Sequence, residues 1–261
     1  MTPVLDIEPL RLPVLGALHD DLWTVLCDLA DRHEADWTVI GGQMVMLHGL
    51  QANRSPGRIS DDLDLMIDAR VRPPMIPTFI ATLSELGFVS IGVSPDNVAH
   101  RFGRGDVVVD VVSPDGVGER ADLRTVGSAT TIEVRGGTQA LQRTERVPVL
   151  QRRRRALVPR PNLVGAFVIK AAAVRNDDHP QRHLRDLAFL CSIVGDPFEA
   201  RAKLTVSDHR RLRAVSELDD QTHEAWRLLD DPETAYAAFK LLVGGPSHPY
   251  GPQQNKRSEP Q

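Results

Sequence analysis

Two short stretches place acids inside strands, and they limit what this chain can fold into more than any other feature. In Asp61-Asp62-Leu63-Asp64-Leu65-Met66-Ile67, acid and apolar side chains alternate with a strand's period of two. Asp62 and Asp64 therefore share one face, and Leu63 and Leu65 the other. In Val107-Val108-Val109-Asp110-Val111-Val112 a single acid stands within a valine run. Were Asp110 turned to solvent, Val108 and Val112 would be exposed with it. The inward face is favoured, where a carboxylate persists chiefly when it is paired or metal-bound. Three acids on neighbouring strands supply the oxygen ligands that two-metal phosphoryl chemistry needs, and predict a nucleotide-handling enzyme.

Upstream, Trp37-Thr38-Val39-Ile40 reads as a β-rich run stopped by Gly41-Gly42. Met44, Val45, Leu47 and His48 continue as a helix starting near Gln43 and ending near Gly49. The glycine pair serves a plain strand-to-helix turn as readily as a phosphate cradle, in which the backbone approaches the anion and the helix start offers N–H groups. Neither the P-loop nor the dinucleotide glycine spacing is present. Arg58 and Ser60 stand just before the acids, and Asp61 reads as their solvated neighbour. His48 suits a helix cap at least as well as catalysis.

The remaining elements follow from period and punctuation. Residues 1–13 are an irregular lead-in, after which Leu15, Leu18, Leu22, Leu26 and Leu29 mark an amphipathic helix. A helix after Pro77 carries Phe79, Ile80, Leu83 and Leu86, stops at Gly87, and leads into a strand over Phe88–Val93. Another strand lies around His100–Phe102. Residues 114–161 show short β-like pieces between charged turns. Beyond Pro161 the period is helical, over Leu163–Arg175, His183–Val194, Asp208–Ser216 and a last pair before Gly244-Gly245. This divides the chain into an α/β domain with its N-terminal helix (1–160), a helical domain (161–243) and a disordered tail (244–261) rich in Gly, Pro, Gln and Ser.

Lys170 sits in the apolar helix Leu163–Ala173, where a lysine can snorkel or act as the point charge that meets a triphosphate. His183 and Asp186 fall one turn apart, too few for a zinc site, and Asp186 is as well explained by pairing with Lys170 or Arg175. The block Arg152-Arg153-Arg154-Arg155, with Arg160, reads as a solvated charged face more readily than as a polyanion contact. Composition is that of an ordinary globular chain, with 41% hydrophobic residues, 25% charged and a formal net charge of -4. The apolar runs are too short for a membrane span, no secretory pattern opens the chain, and Cys27 and Cys191 lie far apart; a cytoplasmic protein is expected.

Together, Val39-Ile40-Gly41-Gly42, His48-Gly49, Arg58-Ile59-Ser60-Asp61-Asp62-Leu63-Asp64-Leu65 and Val109-Asp110-Val111 resemble the minimal nucleotidyltransferase superfamily. With Lys170 and His183-Leu184-Arg185-Asp186-Leu187, the chain looks more narrowly like the AbiEii/AbiGii toxin group, the nucleotidyltransferases of type IV toxin-antitoxin systems. The resemblance implies a DNA polymerase β-like α/β core with a mixed sheet, followed by an all-helical C-terminal domain that completes the NTP site. It further implies two Mg²⁺ ions on Asp62, Asp64 and Asp110, the last helping to activate an acceptor hydroxyl. Gly41, Gly42, Arg58, Ser60, Lys170 and Asp186 would hold the nucleotide, and Lys170 would balance the leaving pyrophosphate. The implied acceptor is a tRNA 3′ end, and the implied partner an antitoxin encoded nearby. Gly42 stands where many members have serine, and Ser60 where threonine is commoner.

Overall fold

The computed structural model describes residues 2–70, 75–119 and 121–244; the expected tail beyond Gly244 lies outside them. In chain order the elements are β1 (Leu10–Arg11), α1 (Ala17–Arg32), β2 (Trp37–Val39), α2 (Gly41–Gln51), β3 (Asp62–Ile67), α3 (Met75–Glu85), β4 (Val89–Ser90), β5 (Arg101–Arg104), β6 (Val107–Pro114) and β7 (Glu133–Val134). Then follow α4 (Gly137–Gln142), β8 (Thr144–Gln151), β9 (Arg154–Pro161), α5 (Leu163–Val174), α6 (Gln181–Ser192), α7 (Pro197–Ala202), α8 (Val206–Arg213), a 3₁₀ turn (Ser216–Asp219), α9 (Glu224–Arg227) and α10 (Pro232–Val243). The fold is mixed α/β. One sheet runs β2-β3-β6-β5-β4 with β7 added to β6, and a second runs β1-β8-β9. β3 and β6 are parallel, whereas β2 and β5 run antiparallel to them.

The period of two in β3 and β6 separates two apolar clusters. Leu63, Leu65, Ile67, Val107, Val109 and Val111 pack with Leu22, Trp23, Leu26 and Leu29 of α1, Phe79 and Leu83 of α3, and Val147, Val149 and Val158 of the β8-β9 hairpin. Met66 and Val112, on the opposite face, join Ile40, Met44 and Val45 in a cluster with α5, α6 and α10, including Phe167, Leu187, Trp226 and Phe239. Val112, which shares Asp110's side of the strand, is thus buried by the helical half of the chain.

Several expectations are corrected. α2 begins at Gly41 rather than near Gln43, and α3 begins at Met75, ahead of Pro77, which the first turn tolerates because its N–H has no helical partner. The strand expected over Phe88–Val93 is only Val89–Ser90. Val89, Ile91 and Val93 are exposed, so the β-branched run reflects no buried face.

The region 114–161 holds a long hairpin rather than short pieces: all eight residues of β8 pair with β9. Its two-residue turn, Arg152-Arg153, carries none of the glycine or asparagine that marks such turns, and Arg152 adopts a left-handed φ of 54°. The arginine block is therefore this turn and its flank. Arg152 pairs with Asp20 at 2.8 Å, and Arg154 bridges Asp28 and Asp31 at 2.6 Å each, which ties the hairpin to α1. Arg160 does not belong to a solvated face. It follows Ala156 and Val158 inward at the strand period, is fully buried, and is held by Gln51 and by Glu145 at 3.4 Å. Burial raises the Glu145 carboxyl above its ordinary range, and the Arg160 charge partly offsets this. His48 caps nothing; its buried Nε2 meets the carbonyl of Pro161 at 3.0 Å.

Candidate active site

The site lies where the acid face of β3 and β6 opens beside the start of α2. Asp64 and Asp110 are directly opposite each other in the parallel ladder, and Asp62 is one step along the same face. Carboxylate oxygens of Asp62, Asp64 and Asp110 all lie within 4.8 Å of one another. They line a cavity of about 510 Å³ with Gly41, Gly42, Arg58, Ser60, Lys170 and His183, which the sequence brings forward, and with His100, Arg101, Arg135 and Arg182, which it does not. Asp61 points away from this cavity into an outer groove, and its carboxylate stands 3.3 Å from His19.

The two glycines are required by contact. At Gly41, φ is 66° and a Cβ would overlap Oδ2 of Asp64; at Gly42 a Cβ would collide with the Ser60 side chain. Both conditions bring the start of α2 against the acids, so its first-turn N–H groups, which a helix leaves without intrahelical partners, open onto the cavity. Gln43 locks the other side of this turn by donating from Nε2 to the Ser60 carbonyl at 2.8 Å. Gly41→Ala combines backbone strain with overlap and is expected to cost at least about 2 kcal/mol, measured by urea unfolding.

Charge explains much of the rest. Burial, followed by Asp62 and Asp110, pushes the Asp64 carboxyl up from 3.8 to about 7, while Lys170 and Arg182 pull it down. Ser60 Oγ donates to Asp62 Oδ1 at 2.5 Å. Asp110 is gripped by Arg101, whose Nε and Nη2 donate to its two oxygens at 2.8 and 2.7 Å. The hydrogen bond to Asp110, then its charge, raises Arg101 above the ordinary guanidinium range.

The helical half contributes the opposite wall. Lys170 Nζ donates to Asp186 Oδ2 at 2.6 Å, both side chains being buried, and Arg58 Nε stands 3.5 Å from the other Asp186 oxygen. Of the two cations expected beside Asp186, the structure selects Lys170. His183 turns instead to Asp177, at 2.8 Å. Burial, then the charge of Lys170, lowers the His183 imidazole to about 4 despite Asp177, so it is neutral at pH 7. Its Nδ1 is buried beside the cavity with no hydrogen-bond partner among the described residues. Burial pushes Asp177 up, but bonds from the His179 N–H, Arg182 and His183 outweigh it and hold the acid well below the carboxylate range. Arg101 and Arg182 carry no signal in local spacing, and the spacing of His183 pairs it with Asp186 rather than with the Asp177 it meets. Only the antiparallel β5-β6 pairing and the docking of α6 bring them to the acids.

Three clustered carboxylates can hold a metal ion, and the donor set is all oxygen, as Mg²⁺ prefers. Burial first, then the charges of Asp62 and Asp110, raise the Asp64 carboxyl, and a divalent ion among the three acids would offset their mutual repulsion. Among the described residues no helix is long and apolar enough to cross a membrane.

No family model matches the chain, and no curated protein matches it. Among solved structures it is similar to the crystal structure of an antigenic nucleotidyltransferase-like protein from Paracoccidioides brasiliensis. The TM-score is 0.44 and the identity 13%, over 81% of this chain and 93% of that one. A likeness of that size assigns neither activity nor substrate.

Proposed function

We propose that the chain is a Mg²⁺-dependent nucleotidyltransferase that moves NMP from an NTP to the hydroxyl of an RNA, a tRNA 3′ end, and acts in the cytoplasm as the toxin of a toxin-antitoxin pair with a protein antitoxin encoded nearby. The observation that carries the reading is the placement of three carboxylates against the glycine start of α2 in one cavity that also holds Arg58, Arg101, Arg135 and Arg182. The motif resemblance supports the tRNA acceptor and the toxin setting. Arg58, Arg101 and Arg182 also line a second groove of about 330 Å³ together with Asp61 and Asp62, and their planar donors support an anionic acceptor over a cationic antibiotic.

Asp62, Asp64 and Asp110 would hold the ions, whose chemistry is to lower the acceptor's pKa and to offset charge developing on the α-phosphate. The α2 N–H groups face the phosphates, and Arg182 and Arg58 supply fixed positive charge beside them. Lys170, already bonded to Asp186, adds its charge from the wall of α5 and contributes to the field over the phosphates. The apolar strip Val112, Val134 and Ile169 offers a surface for the base.

Incubation with Mg²⁺, each α-labelled NTP and total bacterial RNA is expected to place label in RNA, and Asp62→Ala to abolish it. Label in small molecules or in protein would reassign the acceptor, and no label from folded protein would overturn the activity. Arrest of growth on induction, lost in Asp62→Ala, would test the toxin role.

A further inference from the structure

Arg101 sits directly opposite Asp110 in the antiparallel ladder and spends its planar fork on both oxygens of the one acid that is most buried in the cluster. The exposures of the two partners differ sharply. The Asp110 side chain is 9% exposed and that of Arg101 51%, so the acid is fixed while the guanidinium reaches water. Arg101 also stands at the junction of the two depressions. It lines the main cavity and the outer groove, and it shares that groove with Arg58 and Arg182. Three carboxylates within 4.8 Å of one another repel strongly, and Arg101 is the cation that donates hydrogen bonds into the set. Lys170 and Arg182, which also act on Asp64, are committed to Asp186 and Asp177.

A bidentate guanidinium takes one lone pair from each Asp110 oxygen and leaves the other, but it drains charge from both oxygens, and its own positive charge repels a divalent ion on the same carboxylate. Ligation by the third acid is therefore strengthened when at least one of these bonds opens. The side chain has somewhere to go. The groove beside it is open to solvent and flanked by Val108, so the guanidinium can leave without being buried anew.

We propose that Arg101 is an exchangeable counter-ion of the acid cluster: it holds Asp110 in position before loading, then yields the Asp110 oxygens to a divalent cation and turns into the outer groove, where the exposed Asp61 carboxylate lies beside Arg58 and Arg182. This rests on the reading of the acids as a metal site. Arg101 is thus a positioning residue that acts through Asp110.

The test is a calorimetric titration with Mn²⁺ alone at pH 8, comparing wild type with Arg101→Gln and Arg101→Lys. Competition requires tighter Mn²⁺ binding in Arg101→Gln, by about tenfold, the equivalent of one charge-assisted hydrogen bond. Arg101→Lys is expected to fall between the two, and metal-free Arg101→Gln to melt lower than wild type. A supporting role, in which Arg101 merely orients Asp110, predicts the opposite sign, and equal or weaker Mn²⁺ binding in Arg101→Gln overturns the proposal.

Wild type supplies a second readout that does not depend on folding of a variant. The Arg101 Nε–H resonance, protected in the Asp110 bond, is expected to broaden on adding Mg²⁺; its persistence at saturation overturns the exchange. If wild type binds no Mn²⁺ at all, the metal site itself falls and the exchange with it. If wild type binds and Arg101→Gln binds more weakly, the site stands and only the exchange fails.

Discussion

Asp64→Asn is expected to lower nucleotidyl transfer by about a thousandfold or more and, at the same time, to raise the melting temperature of the metal-free protein. The two effects have one cause. Burial and the neighbouring Asp62 and Asp110 make an ionised Asp64 costly in the folded chain, so its carboxyl titrates near 7 instead of 3.8. A folded value above the unfolded one means that the stabilising contribution is fully present below about pH 4 and is lost as pH rises through about 7. Metal-free wild type should therefore lose stability across that window, whereas Asp64→Asn, neutral throughout, should not. A divalent ion reverses the sign by supplying the missing charge. The rise in melting temperature caused by Mg²⁺ should be small at pH 5.5 and larger at pH 8, where the ion no longer competes with a proton. At a hundredfold excess over Kd it corresponds to about 2.7 kcal/mol. Scanning calorimetry of both proteins, with and without Mg²⁺, checks all three statements. A melting temperature of wild type that is flat from pH 5 to 8 without metal would contradict the charge argument.

The second large effect is structural. Lys170 and Asp186 join α5 to α6 through a 2.6 Å bond between side chains only 3% and 4% exposed. Removing one partner leaves a buried charge, so Lys170→Met is expected to cost about 3–5 kcal/mol in urea unfolding. Arg58, 3.5 Å from the other Asp186 oxygen, compensates in part and puts the result toward the lower end. The double replacement Lys170→Met with Asp186→Leu removes both charges, and should recover much of the loss. A double mutant as unstable as the sum of the singles would mean that each residue acts alone. Because Lys170 lines the cavity while Asp186 stands behind it, activity should fall in the double mutant even where stability returns, which separates the pair's two contributions.

Much of the site was legible because short-range patterns carry it. Alternation over Asp62–Ile67 is a property of five or six consecutive side chains, and a strand can satisfy it in only one way once its leucines are buried. Of the helices after Pro161, α5 is plain from its long apolar run and α6 from an apolar period sustained over three turns, whereas the short α7 carries no such signal. The hairpin β8-β9 escaped notice for physical reasons: Pro148 and Pro159 argue against strands, and its turn is built from arginines whose unusual backbone is held by ion pairs to α1. Arg160 could have been found, because it shares the inward face with Ala156 and Val158, but charge suggested solvent and burial won.

What the sequence determined by itself is the set of groups that must face the same way, Asp62 with Asp64 and Asp110 apart from Val109 and Val111, together with a glycine turn between β2 and α2. These depend on the two local periods of a polypeptide and on nothing distant. What only the tertiary structure decided is which charges meet. The parallel register sets Asp64 opposite Asp110, the antiparallel register delivers Arg101 to Asp110, and the packing of α5 and α6 on Met66 and Val112 commits Lys170 to Asp186 and brings Arg182 and His183 to the rim. Electrostatic partners are chosen by distance in space, and no local period encodes that distance.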